Sequence, residues 1–410
     1  MSKIRIKNFG PVKDSYPENN GWLDIKKVTV FIGNQGSGKS TVAKLFSTLS
    51  WIEKAMALGQ IKPNELSAYN RFLKQLKYQK IDNYIKKNTE LEYRGKSYHF
   101  HFRDGQFYAD KASENGYVLP KIMYVSAERN FLSVLDSPEK LKSLPSPLFT
   151  FLDEYDSARK LYSKGIELPI GNAKFEYDTL NKIAHISGED YKLRLSEASS
   201  GFQSTVPLFL VTKYLTESLQ WESDPSVKNR SIEEQRKLSK EIESIINAPA
   251  LSEEVRQESL RQLSAKYKPS CFINIVEEPE QNLFPDSQQK LLYSLLEYNN
   301  KHDDNRLIIT THSAYLINYL SIAIQGAYLL KLFNKSDRGS DLIERFEKIV
   351  PAISVIDSND AVVYQMEETS GTINKLPNPH GIPSDENYLN QSIRHSNMQF
   401  DKLLEIEEEL

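Results

Sequence analysis

The chain has 410 residues, of which 39% are hydrophobic, a formal net charge of −3 at neutral pH and one cysteine, Cys271. The length predicts two or three packing units with an ordinary buried core, and the small net charge excludes strong general attraction to nucleic acid or anionic membranes. We find no signal sequence and no apolar run of the ~20 residues that span a membrane, and the lone cysteine excludes an internal disulfide. We therefore expect a soluble, cytoplasmic protein with no membrane partner.

The first predicted elements are β-strands that lead into a glycine-rich loop. Ile4 and Ile6 alternate with basic residues, and residues 28–32 are mostly β-branched, as expected of a half-buried and a buried strand. Residues 33–40 then read GNQGSGKS, which matches the phosphate-binding loop GxxxxGK[ST]. A helix is predicted directly after the loop because its apolar residues fall on one face: Val42, Leu45, Phe46 and Leu49.

A strand, a glycine loop and a helix start are together the arrangement that binds the phosphates of a nucleotide. Glycine conformations allow several backbone N–H groups to face one anion, and the helix N-terminus adds its positive dipole end. Lys39 would reach the β- and γ-phosphates, and Ser40 would ligate Mg²⁺. The other predicted nucleotide contacts are Asn34, Gly36, Ser37, Gly38 and Thr41. The alternative, a glycine-rich turn with a solvated lysine, does not explain both flanks, so we predict binding of ATP and Mg²⁺.

The next segment combines a basic helical run with a β-meander. Between residues 53 and 87, aromatic residues are interleaved with basic ones, namely Arg71, Lys74, Lys77, Lys80, Lys86 and Lys87. Such a run is either a surface that contacts nucleic acid or the solvated side of amphipathic helices. Residues 91–110 alternate as in a β-meander, with turns predicted at Arg94-Gly95 and Asp104-Gly105.

Two polar clusters follow in the middle of the chain. A buried-type strand from residue 121 ends at Glu128 and Arg129, where ligands of open α/β sheets bind. Glu128 and Arg129 would therefore contact the nucleotide, the metal or the attacking water, and the alternative is an ion pair that closes the loop. Further on, Ser199-Ser200-Gly201 opens an apolar helix, which makes either an N-cap or a second anion site.

Residues 220–268 are predicted to form a helical hairpin that stands off the core. A capping box at Ser231–Glu234 starts its first helix, and a second charged helix begins near Ser252. Hairpins of this kind are a usual place for contact with a partner.

Two further strands end in residues suited to hydrolysis. The strand at 271–276 is followed at once by Glu277 and Glu278. In a P-loop protein these are the Walker B pair, in which the first acid holds the Mg²⁺ shell and the second orients or deprotonates the attacking water. A strand beginning at Arg306 ends at His312, where the imidazole would hydrogen-bond the γ-phosphate. We then predict a helix at 314–320, strands at 352–356 and 361–364, and a final helix with an acidic end.

The order of these motifs resembles the ABC-type ATPase head of the overcoming-lysogenization-defect (OLD) family and its AAA-annotated relatives. The resemblance covers most of residues 1–320. It is carried by the P-loop, by the signature SSGFQ, by EEPExxLxP, by THS, and by the IKNFGPV opening and the SAER strand end.

In ABC-type heads the signature acts on the nucleotide bound by the opposite subunit. The resemblance therefore implies an ATP-dependent homodimer in which Ser200, Gly201 and Gln203 contact the nucleotide of the partner. Glu277 departs from the family because ABC proteins generally have Asp there, and Phe202 replaces the second glycine of the commoner signature. The stretch after His312 lacks the acidic constellation of the TOPRIM nuclease domain that OLD nucleases carry.

Standalone heads of this kind resemble the ATPase subunits of two-gene antiphage systems, Septu-like and PARIS-like. The resemblance implies a slow, regulated ATPase that acts as sensor, scaffold or switch for a separately encoded effector nuclease. Two other interpretations stay open: a DNA-repair or recombination ATPase that binds DNA directly, and a binding module that uses ATP as structural glue.

The predicted fold class is α/β: a P-loop NTPase of ABC-ATPase type with an antiparallel β-subdomain, a helical lobe and a short helical-hairpin insertion. We divide the sequence into five segments. These are a nucleotide-binding lobe at 1–125, a helical lobe with the signature at 126–219, the hairpin at 220–268, a Walker B and histidine lobe at 269–350, and a C-terminal extension at 351–410.

Overall fold

The computed structural model of the protein describes residues 2–67, 71–113, 116–135, 144–220, 269–333 and 339–408, together with residues 240 and 244. Twelve strands form one large sheet, and four short strands form a second, antiparallel sheet. The helical hairpin predicted at 220–268, with its capping box, lies almost wholly outside the described residues.

The strands, numbered in chain order, are β1 (Ser2–Phe9), β2 (Val12–Ser15), β3 (Trp22–Ile25), β4 (Val28–Gly33), β5 (Ile85–Arg94), β6 (Tyr98–Arg103), β7 (Gln106–Lys111), β8 (Pro120–Val125), β9 (Ile166–Glu167), β10 (Lys174–Asp178), β11 (Ile183–Ser187), β12 (Lys192–Arg194), β13 (Cys271–Glu277), β14 (Arg306–Thr311), β15 (Ala361–Met366) and β16 (Thr372–Lys375). The described α-helices are α1 (Lys39–Ala57), α2 (Pro63–Ser67), α3 (Arg71–Tyr78), α4 (Phe131–Val134), α5 (Ser146–Leu161), α6 (Ser200–Ser218), α7 (Pro285–Asn300), α8 (Ala314–Phe333), α9 (Gly339–Glu347) and α10 (Tyr388–Glu408).

The order of the strands brings the predicted site residues to one edge of the large sheet. The order is β7-β6-β5-β1-β2-β16-β15-β4-β14-β13-β8, with β3 paired to β1. Strand β4 lies between β15 and β14, and β13 lies between β14 and β8, all in parallel pairs. The strands that precede the P-loop, Glu128, Glu278 and His312 therefore end at the same edge, as expected of ligand sites in parallel sheets.

The central parallel strands of the large sheet are buried on both faces, which explains their apolar character. Val28, Val30 and Ile32 of β4 belong to a core shared with α5, α6, α7 and α8. Phe31 points into a second core, which contains the apolar face of α1 and residues of the β5–β7 meander. A parallel strand covered on both faces needs apolar residues at nearly every position.

The meander and the central strands confirm the α/β class predicted from the sequence. Strands β5, β6 and β7 pair antiparallel in that order, with turns at the two predicted positions. The meander joins the large sheet through the pairing of β5 with β1. The segment 126–219 contains α5 and α6. It also contains the small sheet β9–β12, whose strands were not predicted.

The C-terminal part contains one wrong prediction and one correct one. Residues 352–356 are not a strand, because Ala352–Ser354 forms a 3₁₀ turn in which the N–H of Ser354 donates to the carbonyl of Pro351 at 2.9 Å. Residues 361–364 do form a strand, β15, which pairs directly with the P-loop strand β4. The large sheet thus takes strands from the predicted segments 1–125, 269–350 and 351–410, and the segment boundaries themselves stay a prediction.

The prediction that no apolar run has the length of a membrane span was wrong, because helix α8 is such a run. Its 20 residues have a mean hydropathy of 1.3, so by length and composition they could cross a membrane. Leu316, Leu320 and Ala323 of this helix are buried in the core that also contains residues of β4. Core helices of soluble proteins share this length and composition, and 39% of the apolar stretch of α8 is buried.

Candidate nucleotide-binding site

The loop between β4 and α1 adopts a conformation that requires glycine at two positions. Gly33 has a φ of +147°, and a Cβ there would lie 2.7 Å from the carbonyl oxygen of Met366 on β15. Gly38 has a φ of +103° and directly precedes the first residue of α1. Side chains rarely adopt such φ values, so the glycines of the motif are explained by the shape of the loop.

Lys39 lies inside this loop with only 5% of its surface exposed. Its Nζ donates to the carbonyl oxygens of Gly33 and Asn34, at 2.8 Å each, and lies 3.4 Å from Nδ1 of His312. Burial lowers the pKa of Lys39 to about 8, while the carboxylates of Glu278 and its neighbours oppose the shift. The loop therefore holds an ammonium group at the position predicted to meet the β- and γ-phosphates.

Glu277 is a buried carboxylate with unused capacity for a ligand. Only 5% of its surface is exposed, and Oε2 accepts from the backbone N–H of Ala127 at 3.3 Å. Among the described residues, Oε1 of Glu277 has no hydrogen bond of normal geometry. The negative charge of Glu277 acts on the neighbouring Tyr124, whose pKa is raised by burial and by this charge. A hydroxyl and a carboxylate are oxygen ligands of the kind that Mg²⁺ prefers, so Ser40 and Glu277 fit the predicted metal.

Glu278 has an unusual backbone that directs its side chain toward His312. Its φ is +44°, and its N–H donates to the carbonyl of Thr310 at 2.8 Å. Oε1 lies 3.2 Å from Nε2 of His312. The hydrogen bond with His312 lowers the pKa of Glu278, helped by the charges of Lys39 and Arg129. Glu278 is therefore a carboxylate at neutral pH, as a residue that accepts a proton from water must be.

His312 connects the lysine of the P-loop to the second acid of the Walker B pair. Its Nδ1 faces the Lys39 ammonium, which can only donate, and its Nε2 faces the Glu278 carboxylate, which can only accept. The bonding pattern therefore assigns a neutral imidazole protonated at Nε2. The three side chains form one continuous polar chain that runs from the start of α1 past the ends of β14 and β13.

Glu280 also belongs to the site, although the sequence analysis gave it no role. Its Oε1 accepts from Oγ1 of Thr311 and from the backbone N–H of His312, both at 2.7 Å. Burial raises the pKa of this carboxyl group. Glu280 thus fixes the backbone from which the His312 side chain projects. The available signal was a third acid in EEPE, two residues after Glu278.

Glu128 and Arg129 lie together on a 3₁₀ turn, Ala127–Asn130, but their side chains have different environments. Arg129 is fully buried, and its guanidinium donates to backbone carbonyls, including those of Glu277 and Glu278. It is thus neither an exposed nucleotide contact nor half of a loop-closing ion pair. Glu128 is exposed beside Ala127, which contacts Glu277, and its role as a metal ligand stays a prediction.

The signature helix α6 begins at Ser200, within the Ser199-Ser200-Gly201 turn that was predicted to open it. Ser199 and Ser200 are exposed, whereas Gly201 is buried. A Cβ on Gly201 would lie 2.9 Å from the carbonyl oxygen of Asn282 in the same chain. The Gln203 amide donates to the carbonyl of Ser196 at 3.0 Å. Within this chain the structure therefore leaves Ser200 open to a partner, and it packs Gly201 against the loop after Glu278.

The structure brings together Lys39, Glu277, Glu278 and His312 as predicted from the sequence. Of the remaining predicted contacts, Asn34 and Gly36 are exposed at the tip of the loop, Ser40 is half-buried, and Ser37 and Thr41 are buried at the start of α1. Among the described residues the buried Ser37 hydroxyl has no hydrogen-bond partner. The fold at this edge is that of an α/β P-loop protein.

Comparison with known proteins gives no family assignment, since no family model and no curated protein matches the chain. Among solved structures, the SMC head domain from Thermotoga maritima superposes with a TM-score of 0.38 at 12% identity, covering 92% of this chain and 97% of that one. An Smc head from Pyrococcus furiosus, with an extended coiled coil and bound to the C-terminal domain of ScpA, gives 0.36 at 10% identity, covering 92% and 96%. A dimeric ATP-binding cassette bound to ADP and Pi gives 0.25 at 13% identity, covering 78% and 91%.

Proposed function

We propose that the protein is a Mg²⁺-dependent ATPase. The observation that carries the proposal is the chain Lys39–His312–Glu278, which joins the P-loop lysine to a carboxylate at the adjacent strand ends. A P-loop alone indicates phosphate binding, whereas an ionised carboxylate next to it supplies the group that activates water. The resemblance of the motifs to ABC-type heads supports the same conclusion.

Each residue of the site has a defined task in the proposed reaction. Lys39 exchanges its bonds to the Gly33 and Asn34 carbonyls for bonds to the phosphates. Ser40 and Glu277 would hold a Mg²⁺ ion, which would supply positive charge to the phosphate oxygens. The Glu278 carboxylate accepts a proton from the water that attacks the γ-phosphorus. The bond from the γ-phosphorus to the bridging oxygen breaks, and ADP leaves as phosphate forms. His312 donates from Nε2 and keeps the carboxylate facing the reaction.

Turnover by Glu278→Gln tests the proposal. The amide keeps the shape of the side chain but cannot accept the proton, so we expect hydrolysis to fall by roughly 10²-fold or more with ATP affinity retained. Glu277→Ala should instead weaken Mg²⁺-dependent binding. The matched control is Glu189→Gln, which replaces an exposed glutamate in the bend between β11 and β12 and should behave as wild type.

Equal turnover in wild type and Glu278→Gln would show that the base lies elsewhere, and Glu128 would be the next residue to replace. Negligible turnover of the wild type, with firm ATP binding, would favour the interpretation of ATP as structural glue.

We also propose that two copies close around ATP and that the closed dimer switches a separately encoded effector nuclease in antiphage defence. The exposed serines at the start of α6 support the dimer, because they are accessible to a second subunit.

The effector role rests on the motif resemblance alone. Plaque assays in cells carrying the chain with its neighbouring gene test it. Protection that survives Lys39→Ala, or that needs no neighbour, would refute this role.

A second candidate function, direct DNA binding, is favoured by a run of exposed basic residues from α3 to β5. The basic residues of the run between 71 and 87 are all exposed: Arg71, Lys74, Lys77, Lys80, Lys86 and Lys87. If this run binds DNA, affinity should fall steeply with salt, and Lys74→Glu with Lys77→Glu should reduce both the affinity and the salt slope. Unchanged binding in the double variant would exclude this run.

A further inference from the structure

Arg129 holds four carbonyl oxygens from three parts of the chain. Its Nη1 donates to Glu277 at 2.6 Å and to Ser126 at 3.3 Å, Nη2 donates to Glu278 at 2.7 Å, and Nε donates to Ser204 at 3.1 Å. The guanidinium therefore joins the end of β8, the loop after β13 and the first turns of α6.

This arrangement depends on arginine and not on positive charge alone. The side chain is 0% exposed, and burial lowers the pKa of Arg129 to about 10, which still leaves it charged at neutral pH. Burying a cation is costly unless its donors are satisfied, and here every acceptor is a backbone carbonyl. The planar guanidinium has five N–H donors in a fixed fork, whereas a lysine ammonium is a single point with three.

The peptide of Glu278 is the element that most needs this support. A φ of +44° is unfavourable for a glutamate, so the conformation persists only where the surroundings hold it. The N–H of Glu278 is held by the Thr310 carbonyl and its own carbonyl by Arg129. Without the second bond the peptide can relax, and the carboxylate then leaves the position facing His312.

We propose that Arg129 is a positioning residue that fixes the carboxylate of Glu278 and joins it to the signature helix α6. The proposal rests on the proposed ATPase function. Arg129 touches no reacting atom and acts through the backbone of Glu278, on one side, and of Ser204, on the other. Changes at the hydrolytic carboxylate are thereby linked to the helix turn that presents Ser200.

Arg129→Lys tests the positioning role, with Arg159→Lys as the matched control. Arg159 is also a buried arginine, but it lies on α5, bonds to Asp156 and stacks over Tyr177. Both variants should lose thermal stability. Only Arg129→Lys should lower kcat, by about tenfold or more, with the equilibrium Kd for Mg-ATP changed less than about threefold.

If Arg129→Lys folds and has the same kcat as Arg159→Lys, the proposal is overturned. Loss of an arginine with only a structural role would leave the two variants with the same kcat. Absence of turnover in the wild type would contradict the ATPase function itself, so the two failures are distinguishable.

If Arg129→Lys does not fold, hydrogen exchange on the wild-type protein tests the proposed link between Glu278 and α6. Amides of residues 199–206 and 276–283 are followed with and without Mg-ATP, at concentrations where sedimentation shows a monomer. The exchange rates of the two segments should change together when Mg-ATP binds, because the Arg129 guanidinium bonds to the backbone of both. A response at 276–283 with none at 199–206 would overturn the proposed link.

Discussion

Lys39 is the residue on which the site depends, and its ionisation gives a direct prediction. Its ammonium bonds to two carbonyls of its own loop, and burial brings the pKa of Lys39 to about 8. Below that pH the lysine is charged, and above it the neutral form dominates. Bound phosphates favour the charged form, so ATP binding raises the pKa of Lys39 and draws in a proton.

At pH 8 we expect ATP binding to take up about half a proton, because about half of the Lys39 groups are then neutral. The uptake from this residue should vanish near pH 6, about two units below the pKa, where Lys39 is already charged. Calorimetry in buffers of different ionisation enthalpy measures it. Lys39→Arg, which is charged throughout, is the control and should show no such uptake. Uptake that is the same at both pH values would contradict the assignment.

At the residue scale, the site residues that directly follow strands were predicted from the sequence. The residues whose side chains hydrogen-bond to the backbone of the site were missed. Lys39, Glu277, Glu278 and His312 were found because each closes a recognisable apolar strand or loop motif. The role of Arg129 depends on carbonyls brought from distant parts of the chain, and no local pattern carries that information. Glu280 was overlooked although EEPE contains a third acid, because its partners, Thr311 and the N–H of His312, lie at the end of β14.

At the element scale, α6 shows how packing changes the choice of a mutation. Gly201→Asp does not block only the contact with a partner, because even a Cβ at Gly201 would lie 2.9 Å from the Asn282 carbonyl. Overpacking of this kind costs about 1–3 kcal/mol, so Gly201→Asp is expected to lower stability as well.

Ser200→Glu is the cleaner test of a site shared between subunits. Ser200 is exposed at the start of α6, so the monomer should fold normally and bind ATP, while a carboxylate there repels the phosphates of the partner's nucleotide. We expect ATP-driven dimer closure and hydrolysis to fail. Ser396→Glu, on the exposed helix α10, is the matched control.

Sedimentation with ATP and a turnover assay measure both effects. Mixing Ser200→Glu with Lys39→Ala subunits leaves one intact site in each mixed dimer, so partial activity should return if one site acts independently. A Ser200→Glu protein that closes and hydrolyses like wild type would rule out the shared-site mechanism.

Short elements were the least predictable part of the fold. The strands of the small sheet have two to five residues, too few for an alternating pattern to stand out between turns. Residues 352–356 alternate like a strand, yet Ile353 is 59% exposed and the backbone turns after Pro351. Longer central strands such as β4 and β13 were predicted because burial on both faces makes them uniformly apolar.

At the scale of the whole molecule, the site is assembled from strands far apart in the sequence. Strand β15, from the segment predicted as a C-terminal extension, lies beside β4 and places the Met366 carbonyl against Gly33. The loop that would bind phosphate is therefore shaped by residues more than three hundred positions away. The sequence predicted the strand but not its neighbour, because pairing order depends on the complete sheet.

The central claim is that this sheet edge binds ATP through Lys39, and equilibrium binding of labelled ATP tests it most directly. Wild-type protein should bind ATP saturably in the presence of Mg²⁺. Lys39→Ala should bind at least about 100-fold more weakly, because the phosphates lose their fixed cation. Lys44→Ala, on the same helix but outside the motif, should bind as wild type does. Equal affinity of wild type and Lys39→Ala for ATP would contradict the claim.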